Sequence, residues 1–149
     1  MKGQRVSPIA VIVAAAGHFV LGAVWFTVFS RPWLEGMGKT RAALAPAEAS
    51  PALAYLAAFV SNLIIATVLA WLIITTGRAT MKRGALLGGL VWLGFVGTTM
   101  GTALVFEQRS LKAFAITAGY PLVGLLMMGA IIGGWARARL ARPRLGEAA

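Results

Sequence analysis

Residues 52–76 read ALAYLAAFVSNLIIATVLAWLIITT, 25 positions without one charged side chain. A helix rises about 1.5 Å per residue, so roughly 20 mainly apolar residues cross the ~30 Å hydrocarbon core of a bilayer. This stretch meets that length and predicts a transmembrane helix. Three others do the same: about Pro8 to Ser30, about Gly84 to Phe106 and about Ala113 to Ala136. Charge bounds each of the four, at Arg5 and Arg31, Glu48 and Arg78, Arg83 and Glu107, Lys112 and Arg137.

Composition agrees. Of 149 residues, 59% are hydrophobic and 12% charged, about half the charged share of a soluble domain. Such a chain has too little polar surface to cover a water-facing core. The absence of Cys excludes a disulfide framework and thiolate metal sites. The first apolar run is too long for the roughly 7–15-residue core of a signal peptide and is expected to be a retained helix.

The links Gly77–Arg83 and Glu107–Lys112 are short, which predicts antiparallel neighbours. The link Arg31–Pro51 holds Pro32, Gly36, Gly38, Pro46 and Pro51, so it cannot be one continuous helix. Trp33, Leu34 and Met37 place its start at the membrane surface. The N-terminus, the 77–83 turn and the C-terminal tail hold nine Lys and Arg, against five in the other two links. The positive-inside rule then puts both termini in the cytoplasm. The expectation is an all-α, integral-membrane four-helix bundle: one membrane domain over residues 1–149, with a basic tail from 137 to 149, in a bacterial cytoplasmic membrane. The net charge of +10 reads as topology and attraction to anionic lipid at the tail, not as nucleic-acid binding.

Small residues pack helices in lipid, where hydrophobicity does little between them. The third helix carries Gly94, Gly97, Thr98 and Gly101 on one face and also Gly84 and Gly88; the fourth carries Gly129 and Gly133; the second offers Ala54, Ala58, Ser61, Ala66 and Ala70. These faces serve either close packing within the chain or a dimer. Gly22-Ala-Val-Trp25 echoes Gly89-Leu-Val-Trp92, as parallel repeats would.

His18, the single histidine, falls near mid-membrane, where an ionisable group is a functional candidate for proton transfer or ligation. Asn62 lies within about one helical turn of it in depth and is its expected partner. Thr98, Thr99, Thr102, Thr117 and Tyr120 lie further out, and Pro121 strands the carbonyl of Thr117. His18, Asn62, Thr98, Thr117 and Tyr120 thus form a candidate polar cluster, either a solute pocket or an internally bonded network. Arg31 with Glu35 and Glu107 with Arg109 form candidate ion pairs at the outer rim. Trp33, Trp71 and Trp135 sit at boundaries and Trp25 and Trp92 deeper, with Trp25 on the face of His18. One histidine without cysteine makes no mononuclear zinc site, and no cofactor is expected.

Several blocks resemble a family of bacterial membrane proteins, domain of unknown function 1761. They are Gly22-Ala-Val-Trp-Phe26 followed by Phe29-Ser-Arg-Pro-Trp33 and Gly36 or Gly38; Trp92-Leu-Gly-Phe95 with Phe106-Glu-Gln-Arg109; and Ile116-Thr-Ala-Gly-Tyr120 with Met128-Gly-Ala-Ile-Ile-Gly-Gly-Trp135. Phe26 and Ser30 stand where many members carry Tyr and Gly, and His18 lies outside the pattern. The resemblance implies a small multi-pass membrane protein and no known reaction or site.

Two roles follow as expectations. One is a structural or partner subunit of a membrane assembly. The other is an oligomeric channel or transporter, which needs at least a dimer because a four-helix bundle fills its own interior. No carboxylate lies deep in the membrane, which argues against proton-coupled export of cations. No motif or acid–base pair predicts an enzyme.

Overall fold

The computed structural model describes residues 6–40, 50–77, 79–107 and 110–141, the last three by backbone alone. All regular structure among them is helical: α1 (Pro8–Val28), α2 (Ser30–Gly36), α3 (Pro51–Thr75), α4 (Met81–Val91), a π-helical segment (Trp92–Gly97), α5 (Thr98–Phe106) and α6 (Leu111–Ala141). Four spans, Pro8–Val28, Pro51–Thr75, Met81–Phe106 and Leu111–Ala138, are long and apolar enough to cross a membrane.

Local chemistry sets the ends. Ser50 accepts from the Leu53 amide at 3.3 Å and Pro51 follows at the first helical position, where its missing N–H costs nothing. Thr80 accepts from the Arg83 amide at 3.3 Å, so the third span starts at Met81 and takes in Lys82 and Arg83, earlier than the charge boundary implied. Ser110 accepts from the Ala113 amide at 3.1 Å and starts α6. Gly77, at φ 80°, takes the left-handed conformation that closes α3. At the other end α6 runs on to Ala141, so the first residues of the expected tail are helix; residues 142–149 lie outside the described residues.

α6 is the axis of the fold and touches every other helix. Its closest neighbour is α4, where backbone meets backbone. A Cβ added at Gly84 would overlap the Gly129 carbonyl, one at Gly88 the Leu125 carbonyl, and one at Gly133 the Thr80 carbonyl. In lipid this close approach, through the dispersion contacts it allows, holds helices together. A buried core joins Ala14 and Ala15 of α1, Ala66, Leu69 and Ile73 of α3, and Leu125, Met128 and Ile132 of α6. It lies toward the 77–80 turn. The outward faces are apolar, with Val24, Leu56, Ile64, Val68, Leu90 and Phe95 all exposed.

The face expected at Gly94, Gly97 and Gly101 does not form a packing surface within the chain. A Cβ at Gly94 or Gly101 would meet no atom within 4 Å, and Gly97 backs onto the Trp92 ring, 2.9 Å from an added Cβ. The π segment explains this. Its i→i+5 bonding widens the turn and shifts every later residue off the 3.6-residue period on which the face depended.

The two glycine sets predict opposite outcomes in a thermal-unfolding assay in detergent. Gly129→Val should separate α4 from α6 and abolish the folded protein. Gly101→Ala should leave stability unchanged or raise it by up to about 1 kcal/mol, as Ala for Gly does in an open helical position.

Candidate functional site

The site grows from one turn of α6. Pro121 has no N–H for the carbonyl of Thr117, and its ring crowds that turn. Three tryptophans from three elements converge there. Trp25 of α1 donates its indole N–H to the Ile116 carbonyl at 3.0 Å, and Trp92 of the π segment donates to the Ala118 carbonyl at 2.9 Å. Trp33 of α2 donates to the Thr117 hydroxyl at 3.1 Å, which itself donates to the Ala113 carbonyl at 2.8 Å. The sequence places these indoles at interfaces or in packing. The signal for their bonds is that an indole N–H deep in hydrocarbon needs an acceptor. The two tryptophans of the sequence echo, Trp25 and Trp92, grip carbonyls two residues apart on the same helix.

One turn further along, Tyr120 joins α1 to α3. Its hydroxyl donates to the His18 carbonyl at 3.3 Å and lies near the Asn62 side chain. Its ring stacks on the imidazole, with centroids 4.7 Å apart and planes inclined by 26°. Gly22 allows this approach, since a Cβ there would stand 2.9 Å from the phenol oxygen. Gly124 makes room for the imidazole, which a Cβ would overlap. His18 and Asn62 are 3% and 6% exposed. Asn62 lies near Tyr120, and neither ring nitrogen of His18 has a hydrogen-bond partner among the described residues, against the expectation that Asn62 bonds His18.

Of the five expected cluster residues, His18, Asn62 and Tyr120 come together, and Thr117 belongs to the tryptophan clamp beside them. Thr98 stays apart: it is exposed and bonds the Gly94 carbonyl of its own helix at 2.9 Å, as Thr102 bonds Thr98 at 3.0 Å. An isolated threonine in lipid satisfies itself this way.

Between the C-terminal half of α1 and the N-terminal half of α3 lies an open groove of about 610 Å³. Phe19, Phe26, Tyr55 and Tyr120 wall it, with Ala58 on its α3 side, and Ser61 and Asn62 supply polar groups. Phe19 meets Tyr55 and Phe59 edge-on, at 6.2 and 5.9 Å between centroids. No periodic pattern announces this groove, because it exists only where two helices diverge.

At the rim, α2 is pinned to the start of α6. Glu35 pairs with Lys112 at 2.7 Å and with Arg31 at 3.2 Å, and Ser110 donates to the Gly36 carbonyl at 2.6 Å. Lys112 is the partner the sequence pairing omitted. The hydrogen bond and charge of Lys112, then those of Arg31, hold the Glu35 carboxyl below its ordinary range. The pair expected of Glu107 includes Arg109, which lies outside the described residues. Among the described residues no three His, Cys, Asp or Glu side chains gather as a metal site.

The model of a family described as proteins of unknown function, DUF1761, matches residues 9–133. No curated protein and no solved structure matches the chain.

Two outcomes test the site. Trp92→Phe should lower stability by about 1 kcal/mol, the net worth of one hydrogen bond to a carbonyl that keeps its helical donor, as measured by unfolding in detergent. A carboxyl with a lowered folded pKa stabilises above its unfolded value and loses that contribution as pH falls through the folded one. The α2–α6 contact should therefore hold at neutral pH and weaken only in acid, below the usual carboxylate range. Glu35→Gln should remove that acid transition from the Trp33 fluorescence.

Proposed function

The chain belongs to the DUF1761 family of proteins of unknown function, and on that footing we propose that it is a structural or partner subunit of a membrane assembly. The observation that supports this reading is the filled interior. Ala14, Ala15, Ala66 and Met128 are 0% exposed at the centre of the bundle, which leaves no water-lined path along one chain's core. The third span lies at the edge, with Gly94 and Gly101 facing open space and Phe95 73% exposed beside them. A small-residue edge that packs nothing at home suits a helix from another subunit.

In this proposal the spans run up and down as antiparallel neighbours, with both termini in the cytoplasm of a bacterial cell and the bundle in its cytoplasmic membrane. The order of contacts supports it, since Gly84 meets Gly129 while Gly88, one turn on, meets Leu125, one turn back. The Lys and Arg bias supports the orientation, with Lys82, Arg83 and Arg137 exposed for anionic lipid at the cytoplasmic end. No catalysis and no cofactor enter the proposal.

One observation favours a second reading, an oligomeric proton or solute pathway. The His18 imidazole is buried at mid-span with both nitrogens unbonded among the described residues, a costly arrangement that suits a group awaiting a proton or a partner.

The chain has no native Cys, so single cysteines at Gly94 or Gly101 can be cross-linked in native membranes without background. The subunit reading expects a discrete cross-linked product at these positions and none at Val68, on the outward face of α3. Monomer alone, together with a proton flux in vesicles that His18→Ala abolishes, would replace it with the transport reading.

A further inference from the structure

We propose that the groove between α1 and α3 is a binding site for a small neutral lipophile that carries a ring and a hydrogen-bonding carbonyl or hydroxyl. The inference stands apart from the subunit reading, since it concerns a different face of the bundle.

Volume comes first. At about 610 Å³ the groove falls within the range of small-molecule pockets, about 300–1,000 Å³. Four aromatic rings, those of Phe19, Phe26, Tyr55 and Tyr120, stand around it. Flat faces and edges of this kind pack best against another ring. Among the described residues no Lys, Arg, Asp or Glu lines it, so they offer nothing to neutralise an ion within hydrocarbon, which favours an uncharged occupant.

The polar floor makes the choice more specific. Asn62 lines the groove and is the twelfth of the 25 residues of α3, hence near the middle of the span. A primary amide offers two donors and an acceptor, and the single Tyr120 phenol it meets uses only part of that capacity. Ser61 adds a hydroxyl at the same level. A phospholipid tail carries only hydrocarbon at that depth, since its ester groups sit at the surface, roughly 15 Å away across half the core. A tail could fill the space but could not answer the amide. A whole lipophile dissolved in the membrane can bring a carbonyl or hydroxyl to that depth. The groove is open, and its lining belongs to spans long and apolar enough to cross a membrane, which suits entry from the lipid instead of from water.

The test uses two fluorescent ring systems with the protein in phosphatidylcholine nanodiscs. Benzanthrone is a fused-ring ketone whose emission shifts to the red when its carbonyl accepts a hydrogen bond. Pyrene is a fused-ring hydrocarbon of similar size with no polar atom. Wild-type protein should bind benzanthrone saturably, with raised anisotropy and a red shift, and pyrene about tenfold more weakly, the worth of one good hydrogen bond. Asn62→Leu should remove the red shift and bring benzanthrone down to the affinity of pyrene. Because Asn62 is buried beside Tyr120, that variant tests fold and binding together. Ala58→Trp fills the groove from an exposed position and leaves the floor intact, and it should abolish binding of both probes at unchanged thermal stability. Equal affinity of wild type for the two probes, no saturable benzanthrone binding, or undiminished binding to Ala58→Trp would overturn the proposal and leave the groove as a seat for ordinary lipid tails.

Discussion

A backbone carbonyl that faces hydrocarbon has no water to fall back on, and α6 contains a proline that strands one. Three elements converge on the turn that carries it. Pro121 leaves the Thr117 carbonyl without its helical donor, and around it indole N–H groups from α1, α2 and the π segment bond the Ile116 carbonyl, the Thr117 hydroxyl and the Ala118 carbonyl. Each bond is ordinary. Together they fix where α1, the rim helix and the third span meet the central helix. The π segment follows from the same demand, because a widened turn at Trp92 aims its indole at Ala118 while Gly97 clears the space behind the ring.

The bundle has two unlike ends as a consequence. Toward the 77–80 turn, glycine meets glycine and alanine meets alanine, and the helices touch along their backbones. Toward the α2 end, tryptophan, tyrosine and phenylalanine hold the helices apart. The groove between α1 and α3 opens there, with the buried Asn62 in its lining. Tyr120 marks the border: its ring covers His18, its hydroxyl joins α1 to Asn62 of α3, and it lies next to Pro121. A site at such a border inherits rigidity from one end and room from the other.

The blocks through which the chain resembles its family lie on this framework. Trp25, Trp33, Trp92 and the run Ile116-Thr-Ala-Gly-Tyr120 are the donors, the acceptors and the tyrosine beside them. The resemblance is therefore carried largely by what holds the bundle together, which is why it speaks of architecture and is silent on a reaction. His18 stands outside those blocks yet is buried against Tyr120 and Gly124, so its surroundings were visible only in three dimensions.

What the sequence alone determined is the number and extent of the spans, the helical nature of the chain, and the polar groups that hydrocarbon would force inward, because length, apolar content and the cost of an unpaired polar group are local properties. Tertiary structure decided the partners. It gave Asn62 to Tyr120 instead of His18, Lys112 to Glu35, and α6 to Gly84 and Gly88 instead of Gly94 and Gly101. The physical reason is that a partner depends on how whole helices approach one another, and that the π segment interrupts the regular period by which a sequence places side chains on one face.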